Sequence, residues 1–269
     1  MSLELRSPID EKVPVHVPIE ASYLDKHFNG TVCSSKGDEY PITNNIIDFY
    51  AAQDTAGQTL AQKSNHLGIA ASAYEDYWRK QSIGLITGEE FDIAREQKIL
   101  LRWLEPMDGG LYLDLGCSTA LYARTIQGGE PGAQTVAMDI SLAMLRQART
   151  RGRQDKVNLY LLRADAKQMP AFAGTFDGIA CGGTLNELDD PQKVLYEASR
   201  VLKKDGVCFM MHLLKAKSLS GRLLQQATRL GGITYWSLDD SNELFERAGF
   251  SIMQQERHGS VCFSRLVKK

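Results

Sequence analysis

From Leu111 onward the chain alternates short apolar runs with longer stretches in which apolar residues recur every three or four positions. The runs are LYLDL (111–115), QTVAM (134–138), VNLYLL (157–162), FDGIA (176–180) and GVCFMMHL (206–213). Their length and composition predict strands, and the amphipathic stretches between and after them predict helices over about 119–128, 141–151, 191–203 and 238–248. The punctuation agrees. Ser141 can cap one helix, Asp190 precedes a proline at a first helical position, and Asp240-Ser-Asn-Glu243 is a capping-box pattern. Gly249 ends the last helix, after which SIMQQE and SVCFSRLV predict two strands joined at His258-Gly259. Buried-type strands alternating with helices predict an α/β fold, a mostly parallel sheet covered on both faces.

Ahead of this region, Tyr74, Tyr77 and Trp78 share one helical face, and Phe91, Ala94, Ile99, Leu100 and Trp103 recur helically up to Pro106. Residues 1–60 read differently, as a small β-rich strand-and-turn extension with alternating stretches at Gly30–Cys33 and Glu39–Ile42. The extension is too short to bury much surface alone and is expected to pack on the main domain. That domain is expected over 70–269, with an insert at about 213–236 (LLKAKSLSGRLLQQATRLGGITYW) whose Leu219, Leu223, Leu224 and Leu230 predict an amphipathic roof helix.

Composition narrows the function. Thirty-one Lys and Arg against 33 Asp and Glu give a formal charge of −2, without the electrostatic footprint a phosphate backbone requires, so no nucleic-acid partner is expected. No apolar run approaches the length of a membrane span, and the first residues lack the pattern of a targeting segment, so a cytoplasmic location is expected. Five separated cysteines without a CxxC pair, and five histidines without HxxxH spacing, imply neither a disulfide framework nor a metal site.

In an open parallel sheet a ligand sits beyond the carboxyl ends of the strands, so chemistry is sought at those junctions. Asp114 ends the first run and is followed by Gly116 and a series of small residues. Asp139 ends the second run, 23 residues past Gly116, where a carboxylate can accept both hydroxyl protons of a ribose. Asp165 lies beyond the third run. Three acids at successive junctions suggest one extended nucleoside-like ligand. A dinucleotide is disfavoured, because G-x-G-x-x-G is represented by Gly116, Ser118 and Leu121 and the close approach of a pyrophosphate is lost.

Taken in order, YLDLGCSTA (112–120), VAMDIS (136–141) with Met144-Leu145, RADAKQMP (163–170), FDGIACGGTLNELDDP (176–191), VLKKDGVCFM (201–210) and ELFERAGF (243–250) resemble the class I S-adenosylmethionine-dependent methyltransferases. The likeness covers about 75–267 and extends to the ubiquinone/menaquinone-methyltransferase subgroup through YEDYW (74–78) and the ribbon-like N-terminal piece, which lacks metal-ligand cysteines. It departs from the family at Ser118 and Ala120, where glycine is usual.

The resemblance implies a Rossmann-like seven-stranded sheet and S-adenosylmethionine as cofactor. It places Asp114 and Gly116 beside the methionine part, with Ser118 donating to its carboxylate, and Asp139 on the ribose. Ile140 and Met144 would cover the adenine, while Asp165 and the Ala166 backbone read its amino edge. Cys181 and Gly182 would line the sulfonium with Leu185 beneath, and Tyr74 would close over the cofactor. The implied reaction moves a methyl group to a small acceptor, apolar or aromatic in view of the roof, at carbon or oxygen. His212, at the end of the fifth strand, is the first choice of base if one is needed, ahead of Asn186, Glu187 and Tyr235; the competing reading makes it a packing residue. The rival function is a non-catalytic module that holds the cofactor or its demethylated product for regulation or assembly. The oligomeric state is left open.

Overall fold

A computed structural model describes residues 3–10, 12–50, 92–217, 221–223, 225–226 and 232–269. The strands are β1 (Leu3–Arg6), β2 (Pro14–Val17), β3 (Gly30–Cys33), β4 (Glu39–Thr43), β5 (Ile46–Asp48), β6 (Leu111–Leu115), β7 (Gln134–Asp139), β8 (Tyr160–Arg163), β9 (Phe176–Gly182), β10 (Leu202–Leu213), β11 (Phe250–His258) and β12 (Val261–Lys268). The α-helices among the described residues are α1 (Ile93–Leu104), α2 (Leu121–Gly129), α3 (Leu142–Gln154), α4 (Pro191–Val201) and α5 (Leu238–Arg247).

Among the described residues, ten strands form one sheet in the order β11-β12-β10-β9-β6-β7-β8-β5-β4-β3. The first seven in that order are the expected Rossmann-like sheet, with β8, β7, β6, β9 and β10 parallel and β12 reversed. The other three come from the N-terminal extension, because β5 pairs parallel to β8 and carries β4 and β3 outward as an antiparallel meander. The seven expected strands are present, and the extension lengthens their sheet by three: β3 and β4 fall on the two alternating stretches, while 46–48 are too few residues to betray by period the parallel strand that joins them to β8.

Both faces are covered. On one, α1 and α2 bury Leu100, Trp103, Leu121 and Ile126 against Tyr112, Phe209 and Phe263, and α3 adds Leu145 and Ala148 over Ala137 and Leu161. On the other, Val194, Leu195 and Ala198 of α4 and Phe245 of α5 meet Ile179, Cys208 and Met210. The connection 164–175 has no helix, and the β1–β2 hairpin lies over that part of the sheet, burying Leu3, Leu5, Val15 and Val17 in the same cluster as Val136, Met138 and Leu162. Burial of each such side chain stabilises by about 1.5–3 kcal/mol, so the hairpin is part of the core.

Ser141 caps α3 by accepting from the Met144 N–H, and Asp190 caps α4 by accepting from Lys193. The capping box of α5 begins three residues earlier than expected: Ser237 is the cap and Asp240 the reciprocal acid. Both registers satisfy the spacing, and the chain uses the one that starts the helix at Leu238.

Candidate functional site

The parallel strands β6 and β9 are neighbours, with β7 on the other side of β6, so the chain reverses its direction of sheet assembly at β6. Such a switch opens a crevice beyond the carboxyl ends of the strands.

The first wall of the crevice is the loop 116–120. Gly116 has φ +65°, and a β-carbon there would lie 2.2 Å from Oγ1 of Thr184, whose hydroxyl donates to the Gly116 carbonyl at 3.2 Å. The loops after β6 and β9 are thus seated against each other. Ser118 and Ala120 have φ +51° and +60°, the left-handed region that costs an L-residue roughly 1–2 kcal/mol. The two departures from glycine in the sequence are therefore two strained positions. Ser118 spends its hydroxyl on Sδ of buried Met144 at 3.5 Å. Asp114 is buried, and its Oδ2 accepts the Ala123 N–H at 2.9 Å. It thereby caps α2 from the strand and fixes where the loop ends.

Asp139 joins this loop to the next. Its Oδ2 accepts the Ser118 N–H and its Oδ1 the Ser141 N–H, both at 2.8 Å, so the carboxylate is held from two sides at the edge of the crevice while remaining half-buried. Ile140, half-buried, comes directly after it. Asp165 accepts the Lys167 N–H at 2.8 Å, and the Lys167 ammonium lies 3.9 Å from Asp165 and 3.0 Å from Asp189. Burial lowers the Lys167 pKa, but the two carboxylates more than offset it and leave the ammonium above its ordinary value. Ala166 sits beside them, half-buried.

At the end of β9, Cys181 and Leu185 are buried, and a β-carbon on Gly182 would approach the Tyr122 ring to 2.6 Å. The Tyr122 hydroxyl donates to the buried carboxylate of Glu96, which seats the ring under the glycine. Burial pushes the Cys181 thiol up to about 12 and raises Cys117 well above its usual value, so both stay protonated and unreactive at neutral pH.

His212 does not join this group. Its side chain is fully buried, its ring is edge-on to Phe245 of α5 with centroids 5.5 Å apart, and neither ring nitrogen has a hydrogen-bond partner among the described residues. Burial lowers its pKa to about 3. The geometry is that of a packing residue, because a base must reach its proton and this ring is enclosed. Asn186 is equally committed: its amide donates to the carbonyls of Leu213 and Thr234, and its oxygen accepts the Leu213 N–H. Tyr235 is buried and Glu187 half-buried. Of the roof leucines, Leu223 is 68% exposed; Leu219, Leu224 and Leu230 lie outside the described residues, as does Tyr74.

Sequence reasoning missed Arg163 and its partner Asp48, which lie 115 residues apart and meet only because β5 joins the sheet beside β8. It also missed Thr184 and Tyr122, whose roles appear only as the atoms that exclude a β-carbon at Gly116 and Gly182.

The donor set fits an adenosyl sulfonium amino acid. A ribose needs an oriented carboxylate acceptor, which Asp139 is. An adenine needs an acceptor for its amino group and apolar cover; Asp165 and Ile140, both half-buried past the ends of neighbouring strands, are groups of those two kinds. The polar amino-acid end can lie against the backbone of the 116–120 loop.

Comparison with known proteins bears on the family and its cofactor. Residues 113–210 match the family model described as a methyltransferase domain. The chain is 33% identical over 212 residues to a malonyl-[acyl-carrier protein] O-methyltransferase of Alcanivorax borkumensis, covering 76% of this chain and 66% of that protein. It is 25% identical over 215 residues to a demethylmenaquinone methyltransferase of Lactococcus lactis, covering 71% of this chain and 84% of that protein. Among solved structures, the [4+2]-cyclase SpnF superposes with a TM-score of 0.61 at 15% identity, over 79% of this chain and 97% of that one, a likeness of fold alone. The chain spans between 40% and 66% of the length of several curated relatives that it matches.

Proposed function

We propose that this chain, a member of the class I S-adenosylmethionine-dependent methyltransferases, transfers a methyl group from S-adenosylmethionine to a small, apolar or aromatic acceptor at oxygen or carbon. The observation that carries the reading is the Asp139 carboxylate, fixed by the Ser118 and Ser141 N–H groups at the carboxyl edge of the central strands, with Asp165 two residues past the end of the neighbouring strand β8.

When bound, the cofactor supplies a methyl group already activated by its sulfonium. The chain's residues have the simpler tasks of holding and aligning. Asp139 accepts the ribose hydroxyls, Asp165 accepts the adenine amino group while Lys167 keeps charge beside it, and Ile140 covers the ring. Gly182, with Tyr122 behind it, keeps the wall beside the sulfonium free of side-chain bulk. Alignment of nucleophile, carbon and leaving sulfur lowers the barrier of such a reaction, since holding the reactants in line makes the loss of translational freedom a cost of binding rather than of the chemical step.

The burial of His212 selects among acceptors. With that imidazole neutral and enclosed, the acceptor that suits the site carries its own nucleophile at neutral pH, such as a carboxylate, or an acidic phenol or carbon acid that ionises readily. The two relatives above are named for an acyl-carrier-bound malonyl group and for a menaquinone precursor, one on each side of that choice.

The test is to titrate the chain with S-adenosylmethionine and S-adenosylhomocysteine by calorimetry, then to monitor S-adenosylhomocysteine release with panels of carboxylates, phenols and enolisable carbonyl compounds. Binding with turnover on one panel is the expected result. Binding without turnover on any panel would favour the rival reading, a module that holds the cofactor, for which the strain at Ser118 and Ala120 is the supporting observation.

A further inference from the structure

The N-terminal extension reaches the adenosine half of the site through one side chain. Arg163, the last residue of β8, lies beside Asp139 in the β7–β8 register and donates from Nε to the Ile140 carbonyl at 3.1 Å. Ile140 stands between Asp139 and the cap of α3, so its carbonyl lies outside the helix and receives the arginine. The same guanidinium donates from Nη1 to Oδ2 of Asp48, in β5, at 2.9 Å, and its carbon stands 5.1 Å from the centre of the Tyr50 ring. Asp48 turns its other oxygen, Oδ1, to the Tyr50 N–H at 3.0 Å. The next residue, Phe49, donates its N–H to the Arg163 carbonyl at 2.9 Å. The arginine is therefore gripped through its head by a carboxylate and an aromatic face and through its backbone by the strand extension. The Asp48 and Arg163 side chains are 18% and 21% exposed, sheltered enough for the pair to be stronger than a surface ion pair.

A guanidinium can hold two acceptors in fixed directions at once, which a lysine ammonium on a flexible stem does not do. Here the two acceptors are the extension and the turn that aims the ribose acid. We infer that Asp48 is a positioning residue for the cofactor's adenosine half, acting through Arg163 on the Asp139–Ser141 turn, so that the N-terminal extension sets cofactor affinity. This rests on the methyltransferase reading above. Neither residue touches the reacting atoms, so the effect falls on binding rather than on the chemical step.

Asp48→Asn is the most discriminating variant. The amide keeps the shape and the Oδ1 acceptor for Tyr50 but turns an NH2 group toward the arginine's own donors. With the full chain, calorimetry at 25 °C is expected to show S-adenosylhomocysteine binding weakened about ten-fold, and adenosine, measured by competition, weakened by the same factor. The KM for S-adenosylmethionine should rise by that factor while kcat and the KM for the acceptor stay within about two-fold. Arg163→Lys should weaken binding similarly. Asp48→Ala combined with Arg163→Ala should bind no more weakly than Arg163→Ala alone, because both act along one path. A purely structural role would lower the urea midpoint of the apo chain and leave these affinities unchanged. Affinity within about two-fold of wild type in Asp48→Asn and Arg163→Lys, with the wild-type chain binding normally, overturns the inference and leaves the function standing. Failure of the wild-type chain to bind either ligand overturns both.

Discussion

Replacing His212 with leucine separates a packing role from a catalytic one, and the structure sets the size of the effect. The folded-state pKa of about 3 lies below the ordinary 6.5, so the folded protein refuses a proton that the unfolded chain accepts. Stability conferred by the neutral ring is full above pH 6.5 and is lost as the pH falls toward 3. At pH 5 the unfolded chain has gained about 1.5 pKa units of proton binding, which amounts to about 2 kcal/mol at 1.36 kcal/mol per unit. Leucine has similar volume and no proton to gain, so His212→Leu should lose about 2 kcal/mol less than wild type between pH 7.5 and pH 5. At pH 7.5 it should be more stable by roughly 1–3 kcal/mol, since two enclosed nitrogens without partners are removed. The assay is urea denaturation at the two pH values, with turnover measured alongside. Equal pH dependence in both proteins would refute the burial argument, and a hundred-fold fall in kcat in a stable variant would restore His212 as the base.

The same geometry sets three further outcomes. Ser118→Gly relieves a left-handed φ of +51° and should raise stability by roughly 0.5–1 kcal/mol in the same denaturation assay; a loss would show that the strain is absent. Gly182→Ala drives a methyl group to within 2.6 Å of the Tyr122 ring and should cost roughly 1–3 kcal/mol, with unchanged stability indicating that the ring is not anchored by Glu96. In the native chain only Cys33 should react with an aromatic disulfide reagent, because Cys117, Cys181, Cys208 and Cys262 are buried with thiols raised above their usual pKa, and all five should react in guanidinium. Rapid modification of Cys117 or Cys181 in the folded protein would contradict the closed packing of the loops.

The sheet from Leu111 onward was legible because its parallel strands are largely buried on both faces and its helices carry their caps in the sequence, as Ser141 and Asp190 show. Two things hid the rest. The alternation at Gly30–Cys33 and Glu39–Ile42 marked two strands of the extension, but Ile46–Asp48 and Pro14–Val17 carry too few residues for a period to register, so neither the strand that joins the extension to the main sheet nor the hairpin covering 164–175 could be read. Side-chain direction was hidden on β10, where both faces are apolar: Cys208, Met210 and His212 point one way and Phe209 and Met211 the other, and nothing in the run says which way the crevice lies. The three acids were visible at their junctions, but their work was not. Asp114 accepts the Ala123 N–H and so caps α2, and Asp139 accepts the N–H of Ser118, one of the two residues marked as a departure from glycine.

The most direct measurement is the calorimetric affinity of Asp139→Ala for S-adenosylhomocysteine beside that of the wild-type chain, with circular dichroism to verify the fold. Loss of two charge-assisted hydrogen bonds to the ribose, each contributing about 1.5–3 kcal/mol at most, predicts affinity weaker by about a hundred-fold or more. Undiminished affinity in a folded Asp139→Ala chain would contradict the account, because the nucleoside would then be held somewhere other than at the ends of these strands.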